Sequence, residues 1–370
     1  MSANKESITI IGAGITGLAS ALVLAESGYK VRLIDRQAPA TETSDNTLRV
    51  IHGGLRYLQD FDLFRSIRSI RAQREFERRF PKFLCKLPCL MPLSTSGLKS
   101  RIPVFFAIHF YNLLYRIASS SSHGGSVLKP EEVMGEVPLL KDYNPLPGAL
   151  YWEDLLLVSH SNLAEELLRQ LDKLGVVSDF NAEIESVSYE KNRWSLNCNN
   201  GLSFDSGVVI ECTGPQLGIK IKGSPAPRQL LLKAYNLELN KSFESRYAIG
   251  FSGNNRLFFM VPRGDLSSIG TWYSDQVVPP GAPLEVSTGE KQVAIDQVNQ
   301  AFPALKLSME HVRGVDVGLL PAIAKNNKME VVGSEKIFSD KNYYSVLSTK
   351  YTTAFEVAGG LLKRIKKKSA

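Results

Sequence analysis

The sequence predicts an α/β fold in which a Rossmann-like dinucleotide-binding domain is intertwined with a second domain built on an antiparallel sheet. Three observations predict it. A short β-branched strand runs into a Gly-x-Gly-x-x-Gly turn within the first 17 residues. A second apolar strand, GVVIECTGP at 207–215, ends in small residues of the kind found where backbone meets a ligand. Between 229 and 273, strands alternate with turns, as in an antiparallel sheet.

The first strand is Ile8-Thr9-Ile10-Ile11, apolar on both faces as a buried parallel strand must be. Gly12 permits a tight turn, Gly14 lets backbone approach a pyrophosphate, and Gly17 lets the next helix lie close to the sheet. That helix is predicted from Ile15 to Ser27, with Leu18, Ala21, Leu22 and Ala25 as its apolar face. Its first residues, Ile15 and Thr16, offer free amides to phosphate oxygens. Gly28 closes it, and Tyr29 to Ile34 form the next strand. Asp35, followed by Arg36, stands 18 residues after Gly17, close to the roughly 20 expected of a ribose-binding acid. The motif specifies a dinucleotide without separating FAD from NAD.

Downstream, 41–62 reads as a loop and 62–80 as an amphipathic helix with Leu63, Ile67 and Ile70 on one side. Pro81 to Leu93 reads as proline-broken, and 118–126 as a Ser/Gly-rich loop. A helix is expected over 161–174, capped by Ser161 and followed by Gly175. Strands are expected at 183–189, 193–198 and 203–205, and the chain closes on strand, turn and helix with Thr352 or Thr353 as cap. Segments 1–80, 150–225 and 330–370 are expected to build the dinucleotide domain. Segments 81–149 and 226–329 would build the substrate or cap domain.

With 370 residues, 44% of them hydrophobic, the chain can bury a large core. No window approaches the roughly 20 apolar residues of a membrane span, and the early first strand predicts no signal peptide. Cys85, Cys89, Cys198 and Cys212 lack metal-ligand spacing, so no metal is expected and a reducing, cytoplasmic compartment is. The net charge of +7 concentrates in Arg65, Arg68, Arg71, Arg74 and Arg78 at helical spacing and in the tail from Lys363 to Lys368. It reads either as a solvated face with a solubilising tail or as peripheral contact with the anionic inner face of a membrane. The aromatic run Ile102 to Leu114 is too short to span and is either core or interfacial, with core favoured. No nucleic-acid motif accompanies the charge.

The stretch TSDNTLRVIHGGLRYLQ (43–59), together with VIECTGP, VPRGDLSSIGT (261–271) and STKYTTAFEVA (348–358), resembles the FAD-dependent glycerol-3-phosphate dehydrogenases. These lie within the D-amino-acid-oxidase-like flavoproteins, and the similarity covers nearly the whole chain. The extra C-terminal helical domain of many such dehydrogenases has no counterpart in the sequence. The resemblance implies FAD, a glutathione-reductase-type FAD-binding domain, and hydride transfer from a small substrate to the flavin. It places Gly12, Gly14, Gly17 and Asp35 at the adenosine diphosphate, and Ser44, Thr47, Arg49 and Ile51 along the pyrophosphate and flavin. His52, Gly53 and Gly54 fall beside the flavin ring. Ala182 to Ile184, with Glu183, fall at the adenine, and Thr213 and Gly214 beside the phosphates. Thr349 to Thr353 form the last helix start, where Lys350 puts a cation near the flavin. Arg56 and Tyr57 face the substrate, with His52 and Lys350 completing the expected catalytic set.

Two departures bear on the substrate. The arginine of the family's Ser-Gly-Val-Arg-Pro turn corresponds to Asp316 in Arg313-Gly314-Val315-Asp316, and a family histidine becomes Asn236. An aspartate there would repel phosphate and could receive an amine, while Arg263 and Lys233 could restore positive charge. The expected substrate is a secondary alcohol like glycerol 3-phosphate. The alternatives are an amine or amino-acid oxidase, or a flavin-binding adaptor without turnover. Oxygen, a quinone or another carrier would accept the electrons, and His52, a water on Asn236 or Asp316 would act as base.

Overall fold

The computed structural model describes residues 6–119, 124–143, 145–244, 246–253, 256–279, 281–325 and 328–369. Residues 120–123 of the Ser/Gly-rich stretch lie outside the described residues. In chain order, β1 (Ser7–Ile11), α1 (Ile15–Glu26), β2 (Lys30–Asp35) and β3 (Val50–Ile51) precede α2 (Leu63–Arg79). Next come β4 (Leu84–Pro92), α3 (Arg101–Ser119), β5 (Ser126–Leu128), α4 (Pro130–Glu136), β6 (Ala149–Leu157) and α5 (His160–Lys173). Strands β7 (Val177–Phe180), β8 (Ile184–Glu190), β9 (Arg193–Cys198), β10 (Ser203–Ser206) and β11 (Val208–Glu211) follow. The second half holds β12 (Leu230–Leu239), β13 (Ala248–Gly253), β14 (Arg256–Arg263), β15 (Leu266–Val277) and α6 (Thr288–Ala301). It ends with β16 (Val312–Lys325), β17 (Lys328–Val331), β18 (Lys336–Asp340), β19 (Tyr343–Leu347) and α7 (Ala354–Ser369).

One six-stranded sheet has the order β18-β19-β11-β1-β2-β7, parallel except for β18. Strand β1 is central, so Ile8 and Ile10 are buried, and α1 packs over it between α5 and α7. Leu18, Leu22 and Leu24 are fully buried in this layer, each contributing on the order of 1.5–3 kcal/mol. A second sheet runs β17-β16-β12-β15-β14-β13-β4-β6-β3, with β5 alongside β6. Strands β8 to β10 form a small third sheet. The chain therefore enters the parallel sheet, leaves for the large sheet at β3, and returns repeatedly, which places the two sheets' loops against each other.

Four local expectations are corrected. The stretch read as proline-broken is the nine-residue strand β4, because pairing with β6 from Leu84 to Pro92 overrides the local proline signal. Helix α5 is capped by Ser159, whose side chain accepts from Asn162 N, and Ser161 lies inside the helix. Leu63 is exposed at the start of α2 while Ile70 is fully buried. The 102–114 run is core on one face only: Val104, Ile108 and Tyr111 are buried, but Phe105, Phe106 and Phe110 are exposed. Among the described residues no helix is long and apolar enough to cross a membrane.

Candidate active site

A cavity of about 910 Å³ opens beyond the C-terminal ends of β1, β2, β11 and β19. This is the end of a parallel sheet where ligands bind, and the volume suits a large cofactor. Its first wall is the glycine turn. Gly12 has φ +102°, and a Cβ there would lie 2.5 Å from Cys212 O. A Cβ on Gly17 would lie 1.8 Å from Gly12 O, so α1 can approach the turn only with glycine at this point. Gly14, Ile15 and Thr16 line the cavity, and Ser44 Oγ accepts from Ile15 N at 3.1 Å.

At the end of β2, Asp35 accepts from Ala13 N at 2.5 Å and from Gln37 N at 2.9 Å. Burial pushes its carboxyl above the usual range and these two N–H groups pull it back. Lone pairs remain on both oxygens for a sugar diol. Arg36, also in the wall, pairs with Glu42. Ala182, Glu183 and Ile184 close the same end, and Thr213 and Gly214 flank the turn.

The 43–59 stretch crosses the cavity floor. Thr47, Arg49, His52 and Gly54 line it; Ile51 does not, being fully buried in the core beneath. Gly53 is likewise behind the wall, where a Cβ would lie 2.6 Å from Tyr111 Oη. Gly17, Ile51 and Gly53 thus shape the site without lining it. The key side chain here is Asp154, at 3% exposure in β6. It accepts from Gly53 N at 2.7 Å, Trp152 Nε1 at 3.2 Å and Gln73 Nε2 at 3.3 Å. Its Oδ2 lies 2.9 Å from His52 Nδ1. A carboxylate only accepts, so Nδ1 carries the proton and His52 Nε2 is left as an acceptor. The His52 side chain is 49% exposed, edge-on to Phe259.

The short 3₁₀ helix at 55–60 brings Arg56 and Tyr57 to the same cavity. Arg56 has no ion-pair or hydrogen-bond partner among the described residues. The Tyr57 ring lies 4.7 Å from Lys350 Nζ and 5.2 Å from the Arg65 guanidinium carbon. Lys350 Nζ also donates to Gly333 O at 3.1 Å. Thr349, Tyr351, Thr352 and Thr353 complete this wall, and Thr352 Oγ1 accepts from His52 N at 3.3 Å.

Buried His160 holds that wall from behind. Its Nε2 donates to Ala40 O at 3.0 Å, so Nδ1 accepts from Tyr351 Oη at 2.7 Å. Burial pushes this histidine below its ordinary value. The folded protein therefore favours the neutral ring, the unfolded chain binds the extra proton, and acid favours unfolding. Thermal stability is expected to fall as pH drops through about 6.5. In His160→Gln that part of the melting-temperature profile should flatten; an unchanged slope would place the titration elsewhere.

The opposite wall comes from the large sheet. Asn236 lines the cavity, its Oδ1 accepting from Thr271 Oγ1 at 2.7 Å. Asp316 lies outside the wall, against the sequence-based expectation. Arg263, only 12% exposed, draws it into an ion pair at 3.4 Å, with Glu238 at 3.6 Å. Arg263 also donates to Thr47 O at 2.5 Å. Lys233 is equally absent from the wall, held by Glu290 at 2.6 Å. The site's positive charge therefore comes from the floor and the 350 loop rather than from this sheet.

Three buried polar atoms of the wall have no hydrogen-bond partner among the described residues: Arg49 Nε, Gln216 Oε1 and Thr349 Oγ1. With the glycine turn and Asp35, they fit a large polar cofactor that supplies their missing bonds. A family model described as "FAD dependent oxidoreductase" (DAO) matches residues 7–354. The chain belongs to the DAO family of FAD-dependent oxidoreductases. It is 24% identical over 362 residues to alpha-glycerophosphate oxidase of Enterococcus casseliflavus, covering 92% of this chain and 58% of that one. It is 24% identical over 361 residues to aerobic glycerol-3-phosphate dehydrogenase of Bacillus subtilis, covering 93% and 63%. The chain thus spans about three fifths of these relatives' length. The fold is similar to that of L-alpha-glycerophosphate oxidase of Mycoplasma pneumoniae with FAD bound, at TM-score 0.74, 16% identity and coverage of 98% and 95%.

For this FAD-dependent oxidoreductase, sequence reasoning did not single out Asp154. The usable signal was an acidic residue in an apolar run, which a buried strand carries only when the acid is satisfied. His160 and Gln216 were not singled out, and nothing in their local pattern distinguishes them.

Proposed function

We propose that this oxidoreductase oxidises a small anionic secondary alcohol of the glycerol-3-phosphate type, with its hydroxyl at His52 and its anion at Arg56. The supporting observation is the Asp154–His52 pair in the same cavity as Arg56, which has no partner among the described residues. Bound FAD supplies a two-electron acceptor for hydride from the substrate C–H. Gly12, Gly14, Asp35, Ser44, Arg49, Thr213 and Thr349 would hold it. Asp154 keeps the proton on Nδ1, so Nε2 takes the hydroxyl proton as the C–H bond breaks. Arg56 binds the anion bidentately and fixes the carbon's position. Phe259 excludes water beside His52, and Lys350 supplies positive charge. In this reading 1–80, 150–225 and 330–370 carry the cofactor, and 81–149 with 226–329 the substrate wall. Strands β3 and β6 join them through His52 and Asp154. Pairing of Asp316 with Arg263 removes the main argument for an amine substrate.

Anaerobic mixing tests the reading. Glycerol 3-phosphate is expected to bleach the flavin absorbance, whereas bleaching by an amino-acid panel alone would replace the alcohol with an amine. Lasting colour with both would favour the adaptor. Peroxide release in air distinguishes oxygen from a quinone or another acceptor. Arg56→Ala should raise the half-saturating substrate concentration roughly ten- to hundredfold, the equivalent of a charged hydrogen bond of about 1.5–3 kcal/mol. Arg56→Lys should recover only part of it, because an ammonium cannot form the paired contact.

A further inference from the structure

Helix α3 carries two apolar stripes, and the protein core covers one. Val104, Ile108, Tyr111, Leu114 and Tyr115 are buried against α2 and the large sheet. On the outer side Ile102 is 71% exposed, Phe106 68%, Leu113 51% and Ile117 65%. Phe105 and Phe110 fill the gaps between them and are also exposed. The spacing follows the helical repeat, so these side chains form one ridge along the helix, with His109 set in it against Phe105. Scattered exposed apolar residues are ordinary, but a contiguous aromatic ridge marks a contact surface.

Charge identifies the partner. From Arg78 to Pro130 the sequence contains no Asp or Glu, while Lys82, Lys86, Lys99, Arg101, Arg116 and Lys129 all fall within it. Arg101 and Arg116 are exposed at the two ends of the ridge. An apolar ridge with an exposed arginine at each end, on a helix that carries no carboxylate of its own, complements a layer with anionic headgroups over hydrocarbon. A second copy of the same face would instead bring like charges together. Helix α2 packs on α3, and Phe61 just before it and Phe64 in its first turn are 87% and 86% exposed.

We infer that the outer face of α3 seats the protein on an anionic lipid surface, with the helix lying in the interfacial plane and its apolar ridge among the acyl chains. Helix α3 touches the 55–60 turn that carries Arg56 and Tyr57, so binding would set that side of the cavity toward the lipid. The seating does not depend on the substrate or on the proposed reaction.

Vesicle flotation tests the inference with the flavin-loaded full chain. The protein is expected to float with phosphatidylcholine vesicles containing phosphatidylglycerol and more weakly with phosphatidylcholine alone. Added salt should weaken the first case as screening shortens from about 30 Å at 0.01 M to about 10 Å at 0.1 M. The triple variant Phe106→Ser/Leu113→Ser/Ile117→Ser should lose roughly tenfold or more in partitioning. Flavin content and melting temperature should stay unchanged, because all three side chains point outward. Arg101→Glu/Arg116→Glu should lose the preference for anionic vesicles while retaining the ridge. Equal flotation of the triple variant would overturn the inference, as would no flotation of the wild type at low salt. Light scattering that showed a wild-type dimer and a monomeric triple variant, without vesicle binding, would assign the ridge to a second copy.

Discussion

Replacement of His52 by alanine is expected to slow anaerobic flavin reduction by about 10²–10⁴-fold at neutral pH, the usual contribution of a positioned acid–base group. Flavin content should hardly change, because half of the His52 side chain is exposed and in the proposed mechanism it accepts a proton rather than holding the cofactor. Asp154→Asn separates position from proton transfer. The asparagine Oδ1 can still accept from Gly53 N and Gln73 Nε2, but an amide nitrogen in place of Oδ2 can no longer accept from Trp152 Nε1 or His52 Nδ1. His52 would then be free to take the other tautomer, and the reduction rate should fall with a changed pH profile. Stopped-flow bleaching of the flavin at several pH values checks both variants. A wild-type rate in His52→Ala would remove this histidine as the base. A slowed Asp154→Asn enzyme with an unaltered pH profile would reduce Asp154 to a structural residue.

The second large effect is expected at Gly17. A single methyl group there would sit 1.8 Å from Gly12 O, well inside contact distance, and the clash is with backbone that cannot rotate away. Either α1 moves off the sheet or the turn opens, and both move the amides at Gly14, Ile15 and Thr16. Gly17→Ala should therefore purify with flavin content reduced roughly tenfold or more, since each displaced bond is worth about 1 kcal/mol. The ratio of flavin to protein absorbance reads the outcome. Far-ultraviolet circular dichroism separates a lost cofactor from a lost fold. A fully yellow Gly17→Ala protein would mean that the turn tolerates the shift, and that close packing here does not govern affinity.

The cofactor half of the site was largely legible because it depends on local backbone chemistry. A strand, a glycine turn, a helix start and an acid lie within 35 residues, and each requirement is written in neighbouring positions. The substrate half was legible only in part. Asp316 looked like an unfavourable charge in the pocket, because a linear sequence does not say which cation meets it. Arg263, 53 positions away in sequence, neutralises it outside the wall. Pro81 to Leu93 failed for a similar reason: local proline content competes with a ladder whose partner strand lies near 150.

The ridge on α3 illustrates the same division. The sequence by itself established that 102–114 is aromatic, apolar and short, that acids are absent from the segment around it, and that a dinucleotide-binding turn opens the first strand–helix unit. Only the tertiary structure decided which helix face the core covers, and that His52 meets a buried carboxylate from β6 while Arg56 lines the same cavity. Local geometry follows from neighbours along the chain, through sterics and hydrogen bonding over a few residues. Burial and charge pairing instead follow from which distant segments pack together, and no single stretch of sequence encodes that by itself.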